Sequence, residues 1–125
     1  MAQVNISFLS DIPSNERRQF ALAVRTIVAK AVHGLQDHQI LPDSVSVLVL
    51  PIDTATSLSG ADVEVQVLVS GNNWPLDVEG RPLDVSKAKK HFDQLALRIL
   101  SALAKKSKRT IYVWVTPFTA SGWAL

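Results

Sequence analysis

The chain contains one pattern twice: a short run of alternating apolar residues, a long stretch with helical spacing, and a second alternating run. In the first copy, residues 4–9 and 45–49 alternate and residues 15–36 have helical spacing. In the second copy, residues 62–69 and 111–115 alternate and residues 85–105 have helical spacing. A period of two indicates a strand and a period near 3.6 indicates an amphipathic helix. The sequence therefore predicts two β-α-β units.

These units predict the fold class. Because β-α-β crossovers are right-handed, both helices should lie on the same face of the sheet. The predicted class is α+β, with two β-α-β units forming one four-stranded mixed sheet and two helices on one face. We expect a single domain over residues 1–125, and Ser14 is the predicted N-cap of the first helix. The predicted core-facing residues of the two helices are Phe20, Val24, Ile27, Val28, Ala31, Leu35, Ala88, Phe92, Leu95, Ile99, Ala102 and Leu103.

The second face of this sheet would have no covering layer. Alternation places Leu48, Leu50, Leu68 and Trp114 on it, together with polar residues. Soluble monomers rarely expose an apolar patch of several hundred Å². We therefore expect other copies of the chain to cover this face in a homo-oligomer.

Composition excludes several classes of function. The chain has no cysteine, which excludes disulfides and thiolate chemistry, and its formal net charge of +2 is small for a nucleic-acid partner. No apolar run approaches the ~20 residues that span a bilayer, so we expect a soluble, cytoplasmic protein without a membrane partner. The three histidines lack ligand spacing and no phosphate-binding glycine loop occurs. We expect neither a metal site nor a cofactor.

Four short motifs carry a family resemblance. They are Ile40-Leu41-Pro42, Ile52-Asp53-Thr54, Ser59-Gly60-Ala61-Asp62 and Gly80-Arg81-Pro82-Leu83-Asp84. Their order resembles the 5-carboxymethyl-2-hydroxymuconate isomerase branch of the tautomerase superfamily. The resemblance implies a tautomerase-like fold that assembles as a homotrimer. It also implies keto-enol isomerisation of a small carboxylate-containing molecule by an amino-terminal proline, with cationic side chains that hold the carboxylate.

The chain departs from this family pattern at two positions. Ala2 stands where the family has its proline, and residues 44–48 contain no arginine. Removal of Met1 would still expose the α-amine of Ala2, a base with an ordinary pKa of about 8. By resemblance, Ala2 is the candidate catalytic residue and Arg81 the candidate carboxylate ligand. Trp74 and Trp123 are further candidate substrate contacts.

Each assignment has an alternative. Arg81 could instead pair with Asp77 or Glu79 in its own loop, and Trp74 could anchor that loop to the domain rather than cap a pocket. Trp123 is equally a candidate for a subunit seam. Two functional hypotheses follow: a small-carboxylate-binding, tautomerase-like isomerase that is weakly active or inactive because Ala2 replaces the proline, or a non-catalytic oligomeric ligand-binding or interaction module on the same scaffold.

Overall fold

The computed structural model describes residues 2–9, 11–33, 45–50, 60–69 and 75–117. The elements follow in the predicted order. They are β1 (Ala2–Phe8), α1 (Ser14–His33), β2 (Val45–Leu50), β3 (Val63–Val69), α2 (Val85–Ala104) and β4 (Ile111–Pro117). The strand order in the sheet is β2-β1-β3-β4, with β1 parallel to β2, β1 antiparallel to β3, and β3 parallel to β4. The mixed four-stranded sheet of the predicted α+β class is confirmed.

One hydrophobic core joins the two helices to one face of the sheet. Val4, Ile6, Val65 and Val67 have no exposed surface and form its sheet side. Of the predicted core-facing helix residues, eight are buried: Phe20, Val24, Val28, Ala88, Phe92, Leu95, Ile99 and Leu103. Ile27, Ala31 and Ala102 are only partly buried, Leu35 lies outside the described residues, and Ala29 and Val32 are buried without having been predicted. Strand alternation and helical periodicity thus turn the apolar stripes toward each other, which supplies most of the driving force for folding.

The two helices begin in different ways. The first hydrogen bond of α1 runs from the Arg17 N–H to the Pro13 carbonyl at 3.0 Å. Pro13 therefore occupies the N-cap position, and the prediction of Ser14 as the cap is wrong. In α2, Asp84 is the N-cap and its carboxylate accepts from the Lys87 N–H at 2.9 Å. These hydrogen bonds lower the pKa of the Asp84 carboxyl group.

The second face of the sheet is a mixed surface. Register places Leu48, Asn5, Gln66 and Trp114 in one row across the four strands. Asn5 Nδ2 donates to Gln66 Oε1 at 3.2 Å, and Leu48 is 49% exposed. Leu68, which was expected on the exposed patch, is only 6% exposed. The apolar part of this face is therefore smaller than the alternation predicted.

Candidate functional site

Ala2 lies at the end of the sheet where β1 and β2 begin and β3 and β4 end. It is the first residue of β1 and pairs with Val45 at the start of β2 and with Val69 at the end of β3. Val69 pairs in turn with Pro117, the last residue of β4. Ala2 itself is fully buried. An α-amine exposed there by removal of Met1 would lie between the start of β2 and the end of β3.

The loop that carries Arg81 forms a tight hairpin over residues 76–82. The Asp77 carboxylate accepts from the N–H groups of Glu79 and Arg81, each at 2.9 Å. The Gly80 N–H donates to the Asp77 carbonyl at 3.0 Å, and Gly80 adopts φ +80°, which side chains other than that of glycine rarely allow. The hairpin fixes the backbone of Arg81 from within its own sequence.

The Arg81 side chain pairs inside this hairpin. It contacts the Glu79 carboxylate, and its Nε lies 3.9 Å from Asp77 Oδ2. The Arg81 side chain remains 69% exposed. Of the two roles considered for Arg81, the structure contains the loop ion pair. A ligand carboxylate at this arginine would have to displace Glu79. The loss of that ion pair would cost little free energy, because exposed ion pairs contribute only ~0–1 kcal/mol.

Trp74 and Trp123 lie outside the described residues, as do the motifs at 40–42 and 52–54. The described motif residues have structural roles. Asp62 Oδ2 accepts from the Thr110 N–H at 3.0 Å and the Asp62 carbonyl accepts from the Leu9 N–H at 2.8 Å. Asp62 thereby ties the end of β1 to the start of β4.

A cavity of about 430 Å³ lies at the opposite end of β1 from Ala2, between the start of α1 and the end of α2. Apolar surface comes from Phe20 and Leu103, and Lys106 and Lys108 also line it. Beside it, both Arg109 Nε and Nη2 donate to the Glu16 carboxylate, at 3.1 and 3.0 Å. This pairing lowers the pKa of the Glu16 carboxyl group and raises that of the Arg109 guanidinium.

No short pattern of residues in the sequence predicts this cavity. Its two walls are separated by at least 80 positions in the sequence, and the Glu16–Arg109 pair joins residues 93 positions apart. The lysines at positions 105, 106 and 108 were visible as a cluster, but only the packing of the two helices shows what they surround.

His91 is a half-buried histidine on α2 whose Nε2 atom has no hydrogen-bond partner within the described part of the chain. Burial lowers its pKa, and the positive charge of Arg98 lowers it further. The residues that the structure describes contain no group of three or more metal-ligating side chains. No helix among them is long and apolar enough to cross a bilayer.

The sequence matches no protein-family model and no curated protein. Solved structures do match. The macrophage migration inhibitory factor-like protein of Entamoeba histolytica is 13% identical, with a TM-score of 0.59 over 99% of this chain and 94% of that chain. Pt0534, in a structure inactivated by 2-oxo-3-pentynoate, is 14% identical, with a TM-score of 0.56 over 94% and 86% of the two chains.

A third match is a fused 4-OT, in a structure described as a wild-type symmetric trimer. It is 12% identical, with a TM-score of 0.55 over 95% of this chain and 87% of that chain. Likeness at this identity extends to the fold, so the chain has the fold shared by these tautomerase-superfamily structures. The finer resemblance to the 5-carboxymethyl-2-hydroxymuconate isomerase branch stays a prediction.

Proposed function

We propose that this chain is a tautomerase-like protein that binds a small carboxylate-containing molecule at the end of the sheet where β1 begins. The observation that carries the proposal is the fold match combined with the position of Ala2 as the first residue of a central strand, between the start of β2 and the end of β3. In this proposal the Ala2 α-amine, exposed by removal of Met1, takes the proton from the hydroxyl group of an enol acid and delivers it to a carbon of the same molecule, which gives the keto form. Arg81 holds the substrate carboxylate.

Physical chemistry limits how active such a site can be. The α-amine of Ala2 is a primary amine with an ordinary pKa of about 8, and burial among strand ends favours its neutral, basic form. A general base needs that form near neutral pH. Without a second-strand arginine, however, Arg81 alone must balance the negative charge that gathers on the enolate oxygen. We therefore propose weak activity.

The proposal includes a homotrimer. The second face of the sheet carries Leu48 and Trp114 with a row of polar side chains, and both helices pack on the other face. In a trimer assembled through this face, the start of β1 in one subunit would lie close to another subunit. The matched fused 4-OT, described as a symmetric trimer, supports this arrangement.

A non-catalytic module on the same scaffold is the second candidate. One observation favours it: the guanidinium of Arg81 is already paired with Glu79 and Asp77. Such a protein would bind a ligand or partner without using Ala2 as a base.

Ketonisation of phenylenolpyruvate and of 2-hydroxymuconate, followed by ultraviolet absorbance, separates the two candidates. Intact mass must first show that Met1 has been removed, because a retained Met1 excludes the Ala2 base. The variants are Ala2→Pro, which supplies a secondary amine, and Arg81→Gln. Arg98→Gln is the matched control, since it removes an exposed arginine from α2.

The catalytic proposal predicts activity above buffer in the parent, a gain in Ala2→Pro, and a raised KM in Arg81→Gln with no change in Arg98→Gln. Activity in Ala2→Pro alone would favour the non-catalytic candidate. Activity in neither protein would contradict a site at this end of the sheet.

A further inference from the structure

The positive charge of this protein is concentrated in one layer. Of its thirteen lysines and arginines, twelve lie in α1, α2 or the segment 105–109 that follows α2. Only two acidic residues, Glu16 and Asp93, share that layer, which gives it a net charge of +10. The rest of the chain holds Arg81 and nine acidic residues, a net charge of −8. The overall charge of +2 therefore conceals a strong excess of positive charge in the two helices and the segment 105–109.

The acidic residues of the helical layer are already paired. Asp93 contacts Lys89 at 2.8 Å and Glu16 contacts Arg109 at 3.0 Å. Among the residues that the structure describes, the other ten cations of the layer form no ion pair within 4 Å, although the charge of Lys87 interacts with the Asp84 carboxylate at the start of α2. Nine of those ten have exposed side chains, and the tenth, Arg25, is half-exposed. They are Arg17, Arg18, Arg25, Lys30, Lys87, Lys90, Arg98, Lys105, Lys106 and Lys108.

These cations belong to two neighbouring helices and the segment that follows the second one. Both helices pack into the same core cluster on one face of the sheet and contact each other. Because β1 and β3 are antiparallel, the helices that follow them are antiparallel as well. Arg17 and Arg18 thus lie at the same end as Lys106 and Lys108, and Lys30 lies at the other. A helix of 20 residues is ~30 Å long, so the layer is about as long as nine base pairs of duplex.

We propose that this helical layer binds the phosphate backbone of duplex nucleic acid without sequence specificity. Lysines and arginines on one face release condensed counterions when they neutralise phosphates, and that release drives such binding. The phenylalanines of the two helices, Phe20 and Phe92, are buried at 8% and 5% exposure. They offer no platform for stacking bases, so a single strand is a poorer ligand than a duplex.

An anionic membrane is the other polyanionic surface to consider. Helices that bind in the membrane interface turn a wide apolar face toward the lipid. In α2 that face, with Leu95 and Ile99, is buried against the sheet. The exposed large apolar residues described in the two helices are Leu22, Val85 and Leu97, and each has a lysine or arginine within four positions in the sequence. The layer thus has the charge that binds a polyanion and lacks the apolar face that inserts into lipid.

The earlier expectation of no nucleic-acid partner rested on the net charge of +2. That value averages over the whole molecule, whereas counterion release depends on the charges that face the ligand. Assembly through the opposite face of the sheet would leave the helical layers of all subunits open to solvent. The inference is independent of the proposed isomerase site.

The test is fluorescence anisotropy of a labelled random duplex of about 20 base pairs, titrated at salt concentrations from about 50 to about 200 mM. Two double variants remove charge from opposite ends of the layer: Lys106→Gln with Lys108→Gln, and Lys30→Gln with Lys90→Gln. The matched control is Arg81→Gln, which removes the one cation outside the layer. Circular dichroism confirms that each variant is folded.

We expect a dissociation constant of about 1 to 100 µM for the parent, with a log–log salt slope of about −4 or steeper. Each double variant should make the slope shallower by about two and weaken binding at least tenfold near 0.1 M salt, because each lost phosphate contact contributes a slope of ~0.9. Arg81→Gln should leave both quantities unchanged.

Three results would overturn the proposal. The first is no binding at about 50 mM salt. The second is an equal loss in Arg81→Gln, or a loss at only one end of the layer, which would indicate a local anion site. The third is stronger binding to phosphatidylserine vesicles than to duplex in the same buffer.

Discussion

Leu48→Arg should dissociate the proposed homotrimer while the fold of each subunit survives. Leu48 lies in the row with Asn5, Gln66 and Trp114 on the face of the sheet that the helices leave uncovered. It is 49% exposed in the single chain. An arginine there is solvated in a monomer but becomes an unpaired buried charge in an assembly, which costs several kcal/mol for each copy.

The milder substitution Leu48→Ala gives a magnitude that can be measured. Burying a whole leucine side chain is worth about 1.5–3 kcal/mol, and the exposed half of Leu48 therefore about 1 kcal/mol. Three copies contribute about 3 kcal/mol to a trimer. Since 1.4 kcal/mol corresponds to a factor of ten, the association constant should fall about a hundredfold.

Sedimentation velocity over a range of protein concentrations measures both effects. The matched control is Leu97→Arg, because Leu97 is also an exposed leucine, at 61%, but lies on α2 in the helical layer. The parent and Leu97→Arg should sediment as the same oligomer, and Leu48→Arg as a monomer. A parent chain that sediments as a 13.7 kDa monomer would refute the reasoning, as would equal dissociation in both arginine variants.

Three further predictions concern stability, measured by urea unfolding at one fixed protein concentration. Leu95→Ala should lower the free energy of unfolding by about 2–5 kcal/mol because Leu95 is 1% exposed. Leu97→Ala should change it by less than about 0.5 kcal/mol. Similar losses in the two variants would contradict the register of α2. Gly80→Ala should cost about 1 kcal/mol from its φ of +80° alone, since no atom within 4 Å obstructs the new methyl group. The pKa of folded His91 lies below 6.5, so the parent should lose stability as pH falls below about 6.5, and His91→Gln should lose less; parallel pH profiles would contradict this.

The sequence predicted most of the fold because the alternating and helical periods are long and uninterrupted. Val63, Val65 and Val67 are buried as alternation requires. The buried stripe of α2 consists of five spaced residues, Ala88, Phe92, Leu95, Ile99 and Leu103. The N-cap of α1 was misassigned because Pro13 and Ser14 are both compatible with a helix start, and only the hydrogen bond of Arg17 distinguishes them. The burial of Leu68 depends on tertiary packing, which alternation does not describe.

The candidate site was less predictable than the fold. Its residue types came from a resemblance. In the structure Gly80 forms a turn, Asp62 accepts a hydrogen bond from the residue that precedes β4, and Asp84 caps α2. Those roles need only local backbone geometry, so the motifs do not require a catalytic function. The charged helical layer was hidden for another reason: net charge is a sum over the chain, and its distribution appears only when the helices are placed on one face.

The most direct test of the central claim is covalent labelling of the Ala2 α-amine by 2-oxo-3-pentynoate, the compound that inactivated Pt0534 in the matched structure. An amine can add to the activated alkyne of this keto acid, so tryptic mass spectrometry shows which of the α-amine and the seven lysines reacts. The unfolded chain, in which all amines are exposed, is the control. We predict a single label on Ala2 of the folded protein, slowed by phenylpyruvate; labelling spread over the lysines as in the unfolded chain, or none, would contradict a ligand site at the start of β1.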